Sequence, residues 1–278
     1  MNDAPPATDG WFAGVDAGDT EAAAASVRDG RADAAAAWPT LAVESGFAAD
    51  ETEYYRLLHE ATVAATRAAV EAAETADDKQ LIHAVRAMDD CTRVSNELAE
   101  RVAEWGGSQF EDADVGIEYA RELAETDESD PLVSLAARIR DLDDEATRLR
   151  AHVERSAPEV APNLSALAEP VLAARLIALA GGLESLAKKP AGTVQVLGAE
   201  EALFAHLRGR APSPKHGVIF THEAVSGTAP ENRGSAARAL AGKLAIAARV
   251  DHYSGERKPE LDEQLRERIE RIQARDSV

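Results

Sequence analysis

The stretch "PLVSLAARIRDLDDEATRLRAHV", residues 131–153, carries the clearest structural pattern in the chain. Its apolar residues recur at alternating steps of three and four, which is the heptad spacing of helices that pack along a seam. The pattern therefore predicts a long helix with one apolar face. The seam positions are Leu132, Leu135, Ile139, Leu142, Ala146, Leu149 and Val153.

A second apolar stripe precedes this one, and the segment "GGSQFEDADVG", residues 106–116, separates the two. Two stripes joined by a loop predict an antiparallel helical arm over residues 76–156, which packs on itself and on a second copy. An ordinary globular helix pair is the alternative. The residues assigned to dimerisation are Leu132, Leu135, Ile139, Leu142 and Leu149. The earlier stripe consists of Leu81, Val85, Met88, Cys91, Val94, Leu98, Val102 and Trp105.

The segments on either side of the arm differ in composition. Residues 1–75 begin with an Ala-, Asp- and Gly-rich segment in which only "GWFAGVDAGD", residues 10–19, looks like a strand, so we expect a small N-terminal α/β domain. Two prolines in "SAPEVAPNL", residues 156–164, end the arm. Helical patterns, interrupted by a Gly-Gly turn and a short β-branched run, dominate the residues that follow, and we expect a helical tail over 257–278, so the fold class is mainly α.

The chain of 278 residues has a net charge of −20 and contains one cysteine, Cys91. A single cysteine excludes an intramolecular disulfide and indicates a reducing compartment, so we expect a cytoplasmic protein. Excess carboxylates together with few lysines are typical of salt-adapted proteins, in which surface charge maintains solubility. The regular apolar spacing argues against the alternative, a disordered acidic chain. The sequence also predicts no signal peptide, no membrane span and no membrane partner.

The charge is unevenly distributed along the chain. Residues 1–160 carry 14 basic and 36 acidic side chains, whereas residues 161–259 carry 12 basic and 8 acidic ones. A positive segment in so acidic a chain points to a polyanionic ligand.

Motifs of catalysis are absent from the sequence. It lacks the phosphate-binding G-x-x-x-x-G-K-[ST] loop and the G-x-S-x-G nucleophile elbow, and "THEAV" lacks the second histidine of a zinc protease motif. His216 and His222 lack a third ligand at a suitable spacing, so we expect no metal or cofactor. Adjacent Glu200 and Glu201 point about 100° apart on a helix, which is poor geometry for an acid–base pair. We expect no enzymatic activity.

Two longer motifs, "TVQVLGAEEALF" (residues 193–204) and "ARALAGKLAIAARVD" (residues 237–251), resemble the Nop domain. The resemblance is continuous over roughly residues 157–256, and it implies an all-helical domain there. The arm is similar to the coiled-coil dimerisation domain of that family. Residues 1–75 match loosely and look shortened. The family signature is commonly G-A-E-K-A-L-F, and Glu201 stands here in place of its lysine.

The resemblance implies a non-catalytic scaffold of the archaeal box C/D guide ribonucleoprotein. In that family the Nop domain binds kink-turn guide RNA jointly with a ribosomal-type kink-turn-binding protein. The coiled coil forms a homodimer, and the N-terminal domain recruits fibrillarin, the methyltransferase that uses S-adenosylmethionine for RNA 2′-O-methylation. Gly198, Ala199 and Glu200 would lie at the interface with RNA and the kink-turn protein.

Charge and the capacity to stack or donate hydrogen bonds select the candidate RNA-binding residues. Arg175, which lies inside an apolar helix, is expected to be a structural partner instead. A splicing-type RNA binder of the same superfamily is one alternative, and an acidic protein-interaction adaptor that no longer binds RNA is another. The candidates are Lys188, Lys189, Gln195, Lys215, His216, His222, Arg233, Arg238, Lys243 and Arg249.

Overall fold

The computed structural model describes residues 10–31, 35–109, 113–126 and 130–274, which divide into two units. The first unit ends at Ala76, and the second begins at Asp77, where the first helix of the arm starts. Every regular element within these ranges is helical. The prediction of a mainly α fold is therefore confirmed for the residues described.

The N-terminal unit contains three helices in its described part: α1 (Thr20–Asp29), α2 (Trp38–Glu44) and α3 (Glu51–Glu74). Its core is aromatic, and the rings of Phe12 and Phe47 stack with their centroids 5.3 Å apart. No strand occurs among the described residues of this unit, so the prediction of an α/β domain is wrong.

The strand-like stretch of residues 10–19 is instead a series of turns. Gly10 and Gly14 have φ values of 79° and 73°, which lie outside the extended region and reverse the chain direction. The Ser26 hydroxyl on α1 donates a hydrogen bond to the carbonyl of Trp11. The apolar residues of this stretch are thus buried by turns against helices, which period-two patterning does not distinguish from burial in a sheet.

The arm consists of α4 (Asp77–Gly106) and α6 (Pro131–Val160), which pack against each other in antiparallel orientation, with α5 (Ile117–Leu123) against both. Val102 and Ile139 belong to one apolar cluster, while Val85 and Val153 belong to another at the opposite end. The heptad prediction of a self-packing helical hairpin is therefore confirmed. The seam positions buried in it are Leu132, Ile139, Ala146 and Val153.

The hairpin divides the five residues assigned to dimerisation into two groups. Leu132 and Ile139 are 1% and 0% exposed because helices of the same chain cover them. They stabilise the hairpin and leave no surface for a second copy. Leu135, Leu142 and Leu149 remain partly accessible, although Leu149 also packs against the C-terminal core and Leu135 against the cluster that contains Ile139. Self-association thus stays a prediction, and it depends mainly on Leu142.

The rest of the second unit is a cluster of helices joined by short connections, except for residues 208–222, which contain a 3-10 turn. No single described helix is long and apolar enough to cross a membrane; the helices Pro162–Ala168 and Pro170–Ala180, bent by 116° relative to each other, meet the criterion only as a pair, by length and composition. The helices are α7 (Pro162–Ala168), α8 (Pro170–Ala180), α9 (Leu183–Ala187), α10 (Ala191–Val196), α11 (Glu200–Leu207), α12 (Glu223–Ser226), α13 (Arg233–Tyr253) and α14 (Glu260–Gln273).

One apolar core joins the base of the arm to these helices. Leu81 of α4, Leu176 of α8, Leu240 of α13 and Ile272 of α14 all belong to it. The domain boundary placed after residue 156 falls inside α6, and the tail placed at 257–278 contributes α14 to the core. The arm and the C-terminal helices therefore form one unit.

Polar contacts also join the arm to this core. As expected, Arg175 is a structural partner, because its guanidinium lies 2.5 Å from the Asp89 carboxylate of α4. The Lys79 ammonium donates to the carbonyl of Gly181 at 2.8 Å, and the Asp78 carboxylate accepts from the Leu183 amide at 2.9 Å. These contacts fix the base of the arm on the turn between α8 and α9.

Candidate nucleic-acid interface

The extended segment before the 3-10 turn at Val218–Thr221 is held against the end of α10. The Gly217 amide donates to the Gln195 carbonyl at 2.9 Å, and the Val218 amide donates to the Leu197 carbonyl at 2.7 Å. The Gln195 side-chain amide donates to the Lys215 carbonyl at 2.7 Å. Gln195, selected as a base contact, therefore also positions Lys215.

A stack of two rings and a guanidinium forms beside this segment. The His216 and Phe220 rings are parallel within 20°, with centroids 4.6 Å apart, and the Arg233 guanidinium carbon lies 5.4 Å from the Phe220 centroid. Arg233 also donates to the Thr228 carbonyl at 3.0 Å. The stack holds a cation and an imidazole in fixed positions, an arrangement suited to unpaired bases and phosphates.

The protonation of His216 follows from this environment. Burial of the imidazole, followed by the positive charges of Arg233 and Lys215, holds the pKa of His216 below its ordinary value. This shift favours the uncharged ring, which stacks without adding a positive charge beside Arg233. Phe220 is not among the candidates chosen from the sequence, although an aromatic residue between two histidines is a usable signal. The expectation that "GVIF", residues 217–220, is extended is wrong, because Val218–Thr221 forms a 3-10 turn.

His222 has a structural role in the chain. Its Nδ1 accepts a hydrogen bond from the Ala224 amide at 3.0 Å, so the imidazole caps the first turn of α12. This contact leaves Nε2 as the ring nitrogen available to RNA. No group of three or more His, Cys, Asp or Glu residues suited to a metal ion occurs in the part of the chain that the structure describes.

The signature segment forms the start of α11. The Glu200 carboxylate accepts a hydrogen bond from the Gly198 amide at 2.9 Å, and Ala199 precedes the first helical residue. Glu201 is exposed, and its negative charge complements the helix N-terminus. The segment thus has a local structural basis apart from any ligand.

Helix α11 presents apolar side chains to solvent. Phe204 and Leu207, three residues apart and therefore on one face, are 56% and 70% exposed, and α11 has no buried residue. Large side chains exposed together on a surface helix are typical of a binding surface. We call Phe204 and Leu207 the α11 apolar face.

The cations of this region differ in their partners. Lys188 pairs with Glu184 at 2.5 Å, and Lys243 donates to the side-chain carbonyl of Gln264. The Arg249 guanidinium donates to the carbonyl of Lys189 at 3.1 Å. Among the candidate RNA-binding cations, the side chains without an ion pair or hydrogen bond to the described residues are those of Lys189, Lys215 and Arg238. Of the candidates, these three are the most available to phosphates.

Comparison with known proteins gives this surface its context. The family model described as "Nop: snoRNA binding domain, fibrillarin" matches residues 49–274, which is well over half of the chain. The chain belongs to the Nop family. The match covers α10, α11 and α13 and extends through α14, so all residues of the candidate interface lie within it.

Two relatives show how far the likeness extends. An uncharacterized NOP5 family protein of Methanocaldococcus jannaschii is 34% identical over 270 residues, which cover 82% of this chain and 65% of the relative. Nucleolar protein 56 of Homo sapiens is 42% identical over 137 residues, which cover 49% of this chain and 23% of the relative. This Nop chain therefore spans less than two thirds of the length of the curated relatives that it matches.

A solved structure supports the fold. A chain in the crystal structure of a fibrillarin/Nop5p complex matches with a TM-score of 0.53 and 26% identity, over 91% of this chain and 92% of that chain. The part of this chain left uncovered is shorter than its N-terminal unit, so the match includes some of that unit.

Proposed function

We propose that this Nop-family protein is a non-catalytic scaffold of a box C/D guide ribonucleoprotein. It binds kink-turn guide RNA together with a kink-turn-binding protein and recruits fibrillarin for guide-directed RNA 2′-O-methylation. The scaffold itself holds no cofactor, and S-adenosylmethionine belongs to the partner methyltransferase. The match to a family whose domain is described as snoRNA-binding supports this proposal.

One juxtaposition carries the proposal: the α11 apolar face lies in the same domain as the unpaired cations and the stack of His216, Phe220 and Arg233. A surface with both apolar and cationic parts suits a composite ligand in which protein and RNA are bound together. We assign the α11 apolar face to the kink-turn protein. The cations and the stack are assigned to the RNA.

The division of the surface into an apolar part for the kink-turn protein and a cationic part for RNA suits binding at high salt. Phosphate contacts weaken steeply as salt rises, because counterion release contributes less to binding. The net charge of −20 leads us to propose a salt-adapted cytoplasm as the working environment. Apolar contacts through Phe204 and Leu207 retain their strength under those conditions. Affinity in molar salt then depends on the kink-turn protein, while the cations contribute orientation.

The N-terminal unit is assigned to fibrillarin. The solved chain that resembles this one was crystallised in a fibrillarin complex, and the match extends into the N-terminal unit. The helical structure of that unit, in place of the expected α/β domain, means that any fibrillarin contact is made by helices and turns in the described residues.

The test is a gel-shift series in molar potassium chloride with the full chain. It uses a box C/D guide RNA, a kink-turn-disrupted RNA, and the kink-turn protein added or withheld. We expect a shift only with the intact kink turn and the partner protein. Folded protein that gives no shift under any condition would contradict the proposal and favour an acidic adaptor that does not bind RNA.

A pair of variants tests the assignment of the α11 apolar face. Phe204→Ala with Leu207→Ala should weaken the shift that requires the kink-turn protein by at least about tenfold, since truncation of buried interface anchors commonly costs about 2 kcal/mol or more. Tyr55→Ala is the control, because Tyr55 is 53% exposed in the other unit. Equal effects of the two changes would refute the assignment.

A further inference from the structure

We propose that the groove between α13 and α14 binds a phosphodiester segment of the RNA, and that Arg268 and Arg271 of α14 extend the RNA surface beyond the residues assigned above. This inference rests on the proposed function. The groove has a volume of about 560 Å³ and lies along the exposed side of α13. The α13 cations in it are Arg238 and Lys243.

The charge of this groove is opposite to that of the chain. Four cationic side chains line it and one carboxylate, that of Glu267, lies among them, whereas the chain carries −20. Like charges brought together on a folded surface repel one another and lower stability. Such a cluster in so acidic a protein is best explained by a polyanion that neutralises it.

The two halves of the groove each supply a cation without a partner. Arg238 and Arg268 have no ion pair or hydrogen bond within the described ranges. Arg271 lies 3.7 Å from the Glu267 carboxylate and donates from Nε to the Glu267 carbonyl at 3.1 Å; the ion pair is exposed, so a phosphate can displace it. On the other side of the same helix, Arg266 is paired with Glu263 at 2.5 Å and with Glu270 at 3.1 Å. Arg266, which faces away from the groove, is therefore ion-paired within α14, whereas Arg268 inside the groove is not.

The floor of the groove allows close approach of a backbone. Ser235, Ala239 and Gly242 of α13 line it, and a Cβ added at Gly242 would meet no atom within 4 Å. Small side chains leave the helix surface open to a sugar–phosphate chain between two rows of longer cationic side chains. The exposed Ile246 at one end supplies an apolar surface for a sugar or base.

The groove continues the candidate interface. Arg249 lies eleven positions after Arg238, which at 3.6 residues per turn puts the two within about 20° on the helix and about 16.5 Å apart along it. Arg249 is anchored on the carbonyl of Lys189, which belongs to the surface already assigned to RNA. A single RNA chain that leaves that surface along α13 therefore passes directly into the groove.

The test is a salt titration of guide RNA binding by the full chain together with the kink-turn protein. Arg268→Ala should weaken binding about threefold to tenfold and reduce the slope of log affinity against log salt by about 0.7, the value for one phosphate contact on a single strand. Arg238→Ala with Arg268→Ala should reduce the slope by about 1.4. Arg268→Lys should retain most of the affinity, because it keeps the charge.

Arg266→Ala is the matched control, since it removes a paired cation from the opposite side of α14. It should leave both affinity and slope unchanged. Wild-type binding with identical slopes for Arg268→Ala and Arg266→Ala would overturn this inference and leave the scaffold function intact. Wild-type protein that binds no RNA would overturn both. If Arg268→Ala instead weakened self-association without RNA, the groove would be a site for an acidic protein surface.

Discussion

The carboxylate of Asp251 on α13 accepts three hydrogen bonds from the start of α7, two of them from Asn163. The Asn163 amide donates at 3.0 Å, its side-chain amide at 2.6 Å, and the Leu164 amide at 2.8 Å. Asp251 is 7% exposed and Asn163 is fully buried. The side-chain oxygen of Asn163 in turn accepts from the Lys258 amide at 2.6 Å, which fixes the connection between α13 and α14.

Replacement of Asp251 should therefore destabilise the whole second unit. Asp251→Ala leaves the backbone amides of Asn163 and Leu164 buried without acceptors, while the Asn163 side-chain amide keeps only the Glu256 carbonyl. We expect a loss of about 3 kcal/mol in the free energy of unfolding. Urea denaturation at a fixed potassium chloride concentration measures it. Asp90→Ala, which removes an exposed carboxylate paired with Arg93, should cost less than about 1 kcal/mol. Equal losses would show that the buried carboxylate of Asp251 stabilises the fold no more than the exposed carboxylate of Asp90.

The segment that carries His216 and Phe220 depends on a glycine. A Cβ at Gly217 would lie 1.9 Å from the carbonyl oxygen of Leu197, and the backbone there is held by hydrogen bonds to the same segment. Gly217→Ala should lower the free energy of unfolding by about 2–3 kcal/mol, because the added Cβ forces the two hydrogen-bonded segments apart.

Gly192→Ala provides the comparison, because a Cβ at Gly192 in α10 meets nothing within 4 Å. It should be neutral or stabilise by up to about 1 kcal/mol, since alanine is the better helix former. Thermal unfolding followed by circular dichroism distinguishes the two variants. A Gly217→Ala protein as stable as the Gly192→Ala protein would show that the segment moves to accommodate the Cβ without loss of stability.

The contrast between the arm and the interface explains what the sequence could predict. Heptad spacing in residues 131–153 reports on one helix face, so the hairpin followed from local pattern alone. The bond between Asp251 and Asn163 joins residues far apart in the chain and leaves no periodic trace. His222 and Gln195 are candidates because their side chains can bind RNA bases. In the fold, however, Nδ1 of His222 accepts from the Ala224 amide, and the Gln195 side-chain amide donates to the Lys215 carbonyl. The sequence does not show these contacts.

The prediction of an α/β domain for the N-terminal unit is wrong for a different reason. Alternation of apolar and polar residues around Trp11 and Phe12 suits a strand, yet glycines with positive φ turn the same residues onto an aromatic core. Composition predicted burial there without predicting the element that achieves it.

The pKa of His216 should report on the cation that stacks beside it. Arg233→Met removes a positive charge while it keeps much of the side-chain volume, so the pKa of His216 should rise toward its ordinary value. Titration of the imidazole by NMR measures this change. Arg249→Met removes a cation that contacts the Lys189 carbonyl instead, and should leave the His216 titration unchanged.

The same lowered pKa sets the direction of a pH effect on stability. The unfolded chain binds a proton at His216 at a higher pH than the folded chain does, so the folded protein loses stability as pH falls below the ordinary histidine value. The loss is complete below the folded pKa. Above the ordinary value, the contribution of His216 is independent of pH. The pH dependence should shrink in the Arg233→Met variant, and an unchanged profile would contradict the link.

Substitutions at two neighbouring positions of the heptad seam should have different effects on self-association and on stability. Leu142→Glu changes a partly exposed residue outside both clusters of the hairpin, so it should abolish any dimer and leave the melting temperature within a few degrees of the wild type. Ile139→Ala removes a fully buried side chain and should cost about 3 kcal/mol in unfolding free energy, because the cavity lies inside the hairpin. Analytical ultracentrifugation gives the mass, and thermal unfolding gives the stability. A Leu142→Glu protein that still sediments as a dimer would locate the self-association surface away from the seam.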